Sequence, residues 1–278
     1  MGMSGLVAGL TDKLPLTAAS FIVTIYGDVV VPRGEILWIG SLIEICARVG
    51  ISENLVRTAT SRLVSASRLE GERAGRRSFY RLATAARAEF AEAARLLYTP
   101  EVEPAHWFVL HAPGLPDEEI RRHRMARMAG DVWLCPDRGE AMPAAAMILR
   151  SETPADPAPL AAFWDLTALQ LRYQALLDRF RPLAHDLSGG IAISDDDALV
   201  ARLLLVHVYR GVLLRDPGLP KAALPTDWHG AEARLLFRQL YTALSPQADR
   251  HIGRILEDAS GPLPSSTPKT SARLSALI

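Results

Sequence analysis

The chain has 278 residues, enough for about two domains, and apolar residues make up 49% of it, so a sizeable core can form. Lysine plus arginine and aspartate plus glutamate each number 31, so net charge excludes no class of partner. No apolar run reaches the roughly 18 residues of a membrane span, and the N-terminus lacks the basic region of a secretory signal. We therefore expect a cytoplasmic protein with no membrane partner and with reduced, buried cysteines at Cys46 and Cys135.

Helical periodicity dominates the chain, and strand patterns are few. Helices are predicted near 16–28, 36–48, 52–66, 83–98, 160–183, 196–215, 228–244 and 246–258, and strands near 69–74, 77–82, 107–112, 132–135 and 146–150. Residues 151–159 are rich in proline and acidic residues, which predicts a linker. The proline- and serine-rich stretch 259–278 predicts a disordered tail.

The predicted helix over 52–66 has one apolar face and one polar face. Ser52 is expected to cap its first turn, because the hydroxyl can accept a bond from an otherwise free backbone N–H. The residues expected to be buried are Leu55, Val56, Ala59 and Leu63. The opposite face has short hydrogen-bonding side chains and an arginine, which suit base edges and phosphate oxygens: Asn54, Arg57, Thr58 and Ser61. An ordinary solvent-exposed face is the alternative interpretation.

An arginine-rich hairpin follows, with a turn predicted at residues 74–75. Eight arginines and three glutamates lie between residues 48 and 81, and this local excess suits phosphate binding by counterion release. A solvated charge run is the alternative, but it does not explain why the excess lies on a tight turn directly after a polar-faced helix. Together these features predict a winged helix-turn-helix over 1–99, with 36–48 as the supporting helix and 52–66 as the recognition helix. The candidate DNA-binding residues are Ser52, Asn54, Arg57, Thr58, Ser61, Arg62, Arg73, Arg76, Arg77, Ser78 and Arg81.

Several short elements occur in an order that is known from one family. They are YGD at 26–28, PRG at 32–34, WIGSL at 38–42, VRTATSRL at 56–63, GRRSFY at 75–80, HVYR at 207–210, DPGLP at 216–220 and LPTDWHG at 224–230. With these elements the chain resembles the PaaX family of bacterial transcriptional repressors over nearly its whole length. The resemblance implies a repressor of an aromatic-acid, phenylacetate-type catabolic operon, released from double-stranded operator DNA by phenylacetyl-CoA or a related acyl-CoA. A homodimer is expected because one module reads only a few base pairs.

The middle of the chain departs from the family pattern. There the family resembles a ferredoxin-like, Cas2-like module, but the stretch PAHWFVLHAPG at 104–114 lacks the usual opening element. We therefore expect a shortened α/β module over 104–150 that is missing a helix or a strand. With an all-α effector and dimerisation domain over 160–258, the chain is predicted to be mainly α with small α+β parts.

The C-terminal half carries the candidate effector-binding residues. They are His207, Arg210, Arg215, Tyr173 and Trp228. The helix around His207 is apolar almost all round, so its histidine and arginine must be hydrogen-bonded or paired. One interpretation is structural, with an arginine paired to Asp216 or Asp227, and the other is a pocket for a ligand's phosphates or carbonyl. No glycine-rich phosphate loop is present, so only the resemblance implies an acyl-CoA effector.

Catalytic patterns such as HExxH and GxSxG are absent from the sequence. We therefore expect a protein that is not an enzyme, with no catalytic residue, metal or cofactor. The acidic run at 195–197 predicts a helix start rather than a metal site. Two alternatives stay open. One is a DNA-binding domain fused to an acyl-CoA-binding or hydrolysing domain that uses His207 and Asp216, and the other is a constitutive architectural DNA binder.

Overall fold

The computed structural model describes residues 5–278, which are mainly helical with small antiparallel sheets. The residues form two compact units. The first contains the described residues up to Thr99 with Leu177–Arg210 and Arg234–Ile278, and the second contains Pro100–Leu176 and Gly211–Ala233. These boundaries differ from the predicted domains 1–99 and 160–258, because helices of the C-terminal half share one core with the N-terminal residues.

The first unit begins with α1 (Gly5–Thr11) and α2 (Ala18–Ile25), and Thr17 caps α2 by accepting a hydrogen bond from the Ser20 backbone N–H. A π-helical turn and a 3-10 turn then occupy residues 26–33. The elements that follow are β1 (Ile36–Trp38), α3 (Ile39–Ala47), α4 (Glu53–Ser65), β2 (Leu69–Ala74), β3 (Arg77–Leu82) and α5 (Arg87–Tyr98). The three strands form an antiparallel sheet in the order β1-β3-β2.

The β2–β3 hairpin has the strand bounds that the sequence predicts. Its turn lies one residue later than expected, because Ala74 pairs with Arg77 and leaves Gly75 and Arg76 at the tip. Gly75 has a φ of +60°, a conformation that glycine adopts without strain. The turn therefore places Arg76 at the end of the hairpin.

The second unit contains a four-stranded antiparallel sheet. Its elements are β4 (His106–His111), α6 (Asp117–Arg122), β5 (Ala126–Ala129), β6 (Val132–Pro136), β7 (Met147–Glu152) and α7 (Ala158–Ala161), with strand order β5-β6-β4-β7. Leu110, Trp133 and Cys135 pack in one apolar cluster, and Trp107 and Leu134 pack in another. No helix lies between β6 and β7. The predicted linker is also shorter than expected, because β7 extends to Glu152.

Three long helices follow, α8 (Leu166–Ser188), α9 (Asp195–Leu213) and α10 (Gly230–Ile255). The sequence predicts two helices in place of α10, because Pro246 removes a backbone donor and usually breaks a helix. The structure has one continuous helix with Pro246 inside it. Leu244 and Ala248, on either side of the proline, are both fully buried, so packing outweighs the local penalty. Among residues 5–278, no helix has both the length and the apolar character needed to cross a membrane.

The predicted disordered tail is structured. β8 (Glu257–Asp258) pairs with β9 (Gly261–Pro262), and α11 (Pro268–Leu277) begins with a capping box between Thr267 and Thr270. Leu263 and Leu277 are 1% and 2% exposed, so both ends of the segment are anchored in the core. The prediction of disorder does not hold, because two buried leucines and a strong helix cap outweigh the polar composition.

Candidate nucleic-acid interface

Helix α4 directs its polar face to solvent. Asn54, Arg57, Thr58 and Ser61 are all exposed, as is Arg62. The opposite face of the helix is buried, and it consists of Val56, Ala59, Thr60 and Leu63. The candidate base-reading side chains therefore share one accessible surface, which is the arrangement that groove contact requires.

Leu55 departs from its predicted place in the core. The buried positions follow the spacing i, i+3, i+4, i+7 from Val56, so Leu55 lies outside that stripe and is 56% exposed. Thr60 takes the buried position instead, and its hydroxyl donates to the Val56 carbonyl at 2.8 Å. The polar face of α4 thus contains one large apolar side chain near its start.

The first turn of α4 also differs from expectation. Ser52 occupies the N-cap position, but its hydroxyl makes no capping hydrogen bond. Arg57 pairs with Glu53 one turn earlier, with 2.8 Å between Nη2 and Oε1. Both side chains are more than half exposed, and such a pair contributes only about 0.3–0.5 kcal/mol, so Arg57 can exchange its partner at little cost.

The arginines of the hairpin fall into two groups. Arg76 at the tip is exposed and makes no hydrogen bond or ion pair with any residue from 5 to 278. Arg73 donates to the Gly75 carbonyl at 3.3 Å, and Arg81 pairs with Glu72 at 3.1 Å. Ser78 is half-buried on β3. The tip of the hairpin therefore offers the most available positive charge.

Arg77 is held by two other side chains. Its guanidinium carbon lies 3.9 Å from the centroid of the Trp38 ring, and its Nη2 forms an ion pair with Glu257 Oε2. These partners could not be predicted from sequence spacing, since Glu257 is 180 residues away along the chain. This candidate DNA contact is already engaged within the protein.

The YGD element forms part of a buried polar cluster. Asp28 accepts hydrogen bonds from Tyr98 and Tyr241 at 2.9 and 2.8 Å, and pairs with Arg202 at 3.1 Å. Burial raises the pKa of Asp28, but the charge of Arg202 and the two tyrosine hydroxyls hold it below its ordinary value. On the other side of the turn, the Tyr26 hydroxyl donates to the Tyr80 carbonyl of β3 at 2.9 Å. This element is therefore structural and connects α2 both to the hairpin and to α9 and α10.

His207 and Arg210, two effector candidates, face α2 in the first unit. His207 Nδ1 lies 3.0 Å from the Thr24 hydroxyl, and Arg210 donates to the Ser20 carbonyl at 3.4 Å. Burial and the charge of Arg210 lower the pKa of His207 to about 4. The histidine is therefore neutral at pH 7 and hydrogen-bonded in a half-buried position, as the structural interpretation expects. The arginine pair of that interpretation is not seen among residues 5–278, because Asp216 accepts from the Tyr173 hydroxyl and Arg215 donates to the Gly211 carbonyl.

Tyr173, Trp228 and Arg215 belong to the second unit. The Tyr173 hydroxyl donates to Asp216 at 2.5 Å, and its ring meets Trp228 edge-on at 5.5 Å between centroids. Arg215 is exposed and donates to the Gly211 carbonyl. The structure thus brings Tyr173 and Trp228 together.

A cavity of about 390 Å³ lies elsewhere in the first unit, between α3, the start of α9 and the end of α10. Its lining includes Arg48, Asp196, Leu199, His251 and Arg254. Arg48 pairs there with Asp196, and hydrogen bonds from Ser194 and Arg48 lower the pKa of Asp196 to about 2 in spite of its partial burial. The acidic run at 195–197 therefore lies at a helix start and partly in ion pairs. None of the predicted effector residues lines this cavity.

Across residues 5–278, no group of three or more histidines, cysteines or carboxylates is arranged to hold a metal ion. Cys46 and Cys135 are free and buried, and burial raises the pKa of the two thiols to about 12 and about 11.

Two family models match this chain, one in its N-terminal part and one in its C-terminal part. Residues 17–86 match the family model "PaaX-like protein", and residues 164–254 match "PaaX-like protein C-terminal domain". The chain belongs to the PaaX family. The two matched ranges contain all the short elements that carry the resemblance, from YGD at 26–28 to LPTDWHG at 224–230.

One curated PaaX relative and one solved structure extend this result. The chain is 29% identical over 280 residues to the transcriptional repressor PaaX of Escherichia coli strain K12, covering 91% of this chain and 88% of that protein. The relative is a repressor, which agrees with the prediction that this PaaX family member is not an enzyme. The uncharacterized protein Rv0674 of Mycobacterium tuberculosis shares the fold, with a TM-score of 0.51 and 23% identity over 84% of this chain and 98% of that one.

Proposed function

We propose that this protein is a DNA-binding transcriptional repressor. The observation that carries the proposal is the exposed polar face of α4 together with the exposed, arginine-bearing tip of the β2–β3 hairpin that follows it in the chain. The relationship to a transcriptional repressor supports the same conclusion. The arrangement suits a protein that reads base edges with a helix and binds phosphate with a hairpin.

The order α2-β1-α3-α4-β2-β3 supports a winged helix-turn-helix. In this assignment α3 is the supporting helix, α4 is the recognition helix and β2–β3 is the wing. Asn54, Arg57, Thr58 and Ser61 would face the major groove. Leu55 lies beside them, and an apolar side chain at this position suits the methyl group of thymine.

The second unit supports a reduced ferredoxin-like module. Its strand order is that of a ferredoxin-like sheet, in which the first strand lies between the third and the fourth. The helix expected between the third and fourth strands is missing, which agrees with the shortened segment noted in the sequence. This unit would contribute to assembly rather than to base reading.

We infer a homodimer whose contacts involve β7. This strand lies at the edge of its sheet, and its residues Met147, Ile148 and Leu149 are 49%, 42% and 53% exposed. An exposed apolar edge strand is normally covered, and antiparallel pairing with the same strand of a second copy closes a two-fold dimer. A monomer in sedimentation velocity at micromolar concentration would contradict this inference.

The proposed effector is a phenylacetyl-CoA-type thioester, and the regulated genes would be an aromatic-acid catabolic operon. Family membership supports this ligand class, and the cavity beside α3 offers a place from which binding would reach the DNA-binding elements. The residues predicted from the sequence do not line this cavity and stay a separate set of candidates: His207, Arg210, Arg215, Tyr173 and Trp228. A thioester would release DNA by favouring the conformation that binds the operator less well.

The test is operator binding with and without thioesters. A duplex is enriched from a random-sequence library by the wild-type protein, and its affinity is then measured with phenylacetyl-CoA, acetyl-CoA and free CoA. We expect phenylacetyl-CoA alone to weaken binding. Equal affinity under all conditions would contradict the effector but not the repressor, whereas the absence of any enriched sequence would contradict the repressor itself.

A further inference from the structure

We propose that the C-terminal strap, defined as residues 256–278, positions the β2–β3 hairpin on DNA through a clamp on Arg77. The inference rests on the proposed DNA-binding function. It makes Arg77 a positioning residue and leaves phosphate contact to Arg76.

The clamp holds the Arg77 guanidinium from two sides. Trp38 lies under it at 3.9 Å, and the Glu257 carboxylate pairs with it. An arginine that stacks on an aromatic ring and pairs with a carboxylate has its charge largely offset. Such a side chain adds little to counterion release, whereas the free Arg76 next to it adds a full charge.

Trp38 is a fixed platform for this contact. It lies on β1, opposite Phe79 of β3, so the strand pairing sets its position relative to the hairpin. The ring covers Gly40, where any side chain would overlap it. Glycine at position 40 of the WIGSL element therefore leaves the room that the Trp38 ring occupies.

Glu257 is fixed just as firmly from the other side. Its backbone N–H donates to the Ser41 hydroxyl at 3.1 Å, and Ser41 is fully buried on α3. The Leu263 N–H donates to the Leu256 carbonyl at 2.7 Å, and both leucines are buried in the core. The β8–β9 hairpin thus presents the Glu257 carboxylate to Arg77 from a rigid base.

Further contacts anchor the strap to the N-terminal residues. Arg33 donates to the Pro264 and Ser265 carbonyls at 2.9 and 3.1 Å, and Thr267 donates to the Pro32 carbonyl at 2.9 Å. The PRG element, 32–34, is therefore the attachment site of the strap. Because the strap begins where α10 ends, a movement of α10 would reach the hairpin through Glu257.

The test compares four single variants and the Arg77→Gln/Glu257→Gln double variant by their affinity for the library-enriched duplex over a range of salt concentrations. Glu257→Gln and Arg77→Gln break the clamp, and Arg76→Gln removes the free charge at the tip. Glu70→Gln is the matched control, because Glu70 is exposed on the same hairpin and its side chain makes no hydrogen bond or ion pair with any residue from 5 to 278.

We expect Glu257→Gln and Arg77→Gln each to weaken binding about three- to tenfold, since a stacked and paired contact that positions the hairpin is lost. Arg77→Gln should leave the salt slope unchanged, because the charge that it removes is already largely offset. The double variant should be no weaker than either single one, because both act through one contact. Arg76→Gln should lower the salt slope by about one unit. Glu70→Gln should bind at least as well as the wild type.

Two results would overturn the inference. One is a salt slope lowered by about one unit in Arg77→Gln, which would make Arg77 a phosphate contact. The other is a Glu257→Gln protein that binds as well as Glu70→Gln. Hydrogen exchange on the DNA-free protein gives an independent answer, because Glu257→Gln should speed exchange over residues 72–79. Unchanged exchange there would also overturn the clamp, even if the wild type bound no DNA and the proposed function failed.

Discussion

Arg76 and Arg77 are neighbours in sequence, yet their side chains meet different surroundings. Arg76 projects into solvent from the turn, and Arg77 lies on Trp38 with Glu257 beside it. A count of arginines treats the two alike, because distance along the sequence conceals the Glu257 carboxylate that offsets the charge of Arg77, a side chain that is itself 44% exposed. For a single arginine, the partners of its guanidinium decide whether its charge is available for phosphate contact.

His207 shows the same effect of surroundings on a titrating group. Its pKa falls to about 4 from an unfolded value of 6.5, so the unfolded state binds more protons between these two values. The contribution of neutral His207 to the free energy of unfolding is therefore fully present above pH 6.5 and is lost as the pH falls toward 4. Between pH 7.5 and pH 5 we expect the protonation of His207 to lower the free energy of unfolding by about 1–2 kcal/mol, which urea unfolding measures.

Removing His207 should abolish that contribution. In His207→Gln, the amide can still bond Thr24, and the difference in unfolding free energy between pH 7.5 and pH 5 should shrink by about 1–2 kcal/mol. His111→Gln is the control, because His111 is exposed on β4. Equal pH dependence in His207→Gln and the wild type would show that the histidine titrates normally in the folded state.

Element by element, periodic patterns were the most predictable part of the fold. The strands at 69–74 and 77–82 and the outward polar face of α4 agree with the structure because each depends on local alternation or helical spacing. Leu55, Pro246 and the tail differ because distant packing decides them. Leu55 precedes the first buried position of α4 by one residue and is exposed. Pro246 stays inside α10 because the residues on either side of it pack in the core.

Helix α11 offers a direct check on the corrected tail. Leu277 is 2% exposed, and the Arg238 guanidinium donates to its carbonyl. Leu277→Ala should lower the free energy of unfolding by about 2 kcal/mol or more, as expected for a buried leucine. Lys269→Ala, at an exposed position of the same helix, should change it by less than about 0.5 kcal/mol. Identical unfolding curves for both variants would restore the prediction of a disordered tail.

For the whole molecule, net charge is zero, and exposed arginines on α4 and at the hairpin tip add local positive charge. Arg57 and Arg62 lie exposed on α4 and Arg76 at the hairpin tip, whereas Arg48 pairs with Asp196 beside the cavity. The local excess of arginines between 48 and 81 was visible in the sequence. The effector site was not, because no short phosphate loop marks it and the cavity lining comes from three separate segments. A surface formed by residues that are close in sequence can be predicted from the sequence, but a cavity lined by helices that are far apart in sequence cannot.

The central claim is that α4 reads bases while the hairpin tip binds phosphate. The most direct measurement is the affinity of Arg57→Ala and Arg76→Ala for the enriched duplex and for a shuffled duplex, each over a range of salt concentrations. Arg57→Ala should lose about 1–3 kcal/mol on the enriched duplex alone. Arg76→Ala should weaken binding to both duplexes and lower the salt slope by about one unit. Wild-type affinity and slope in both variants would contradict the account.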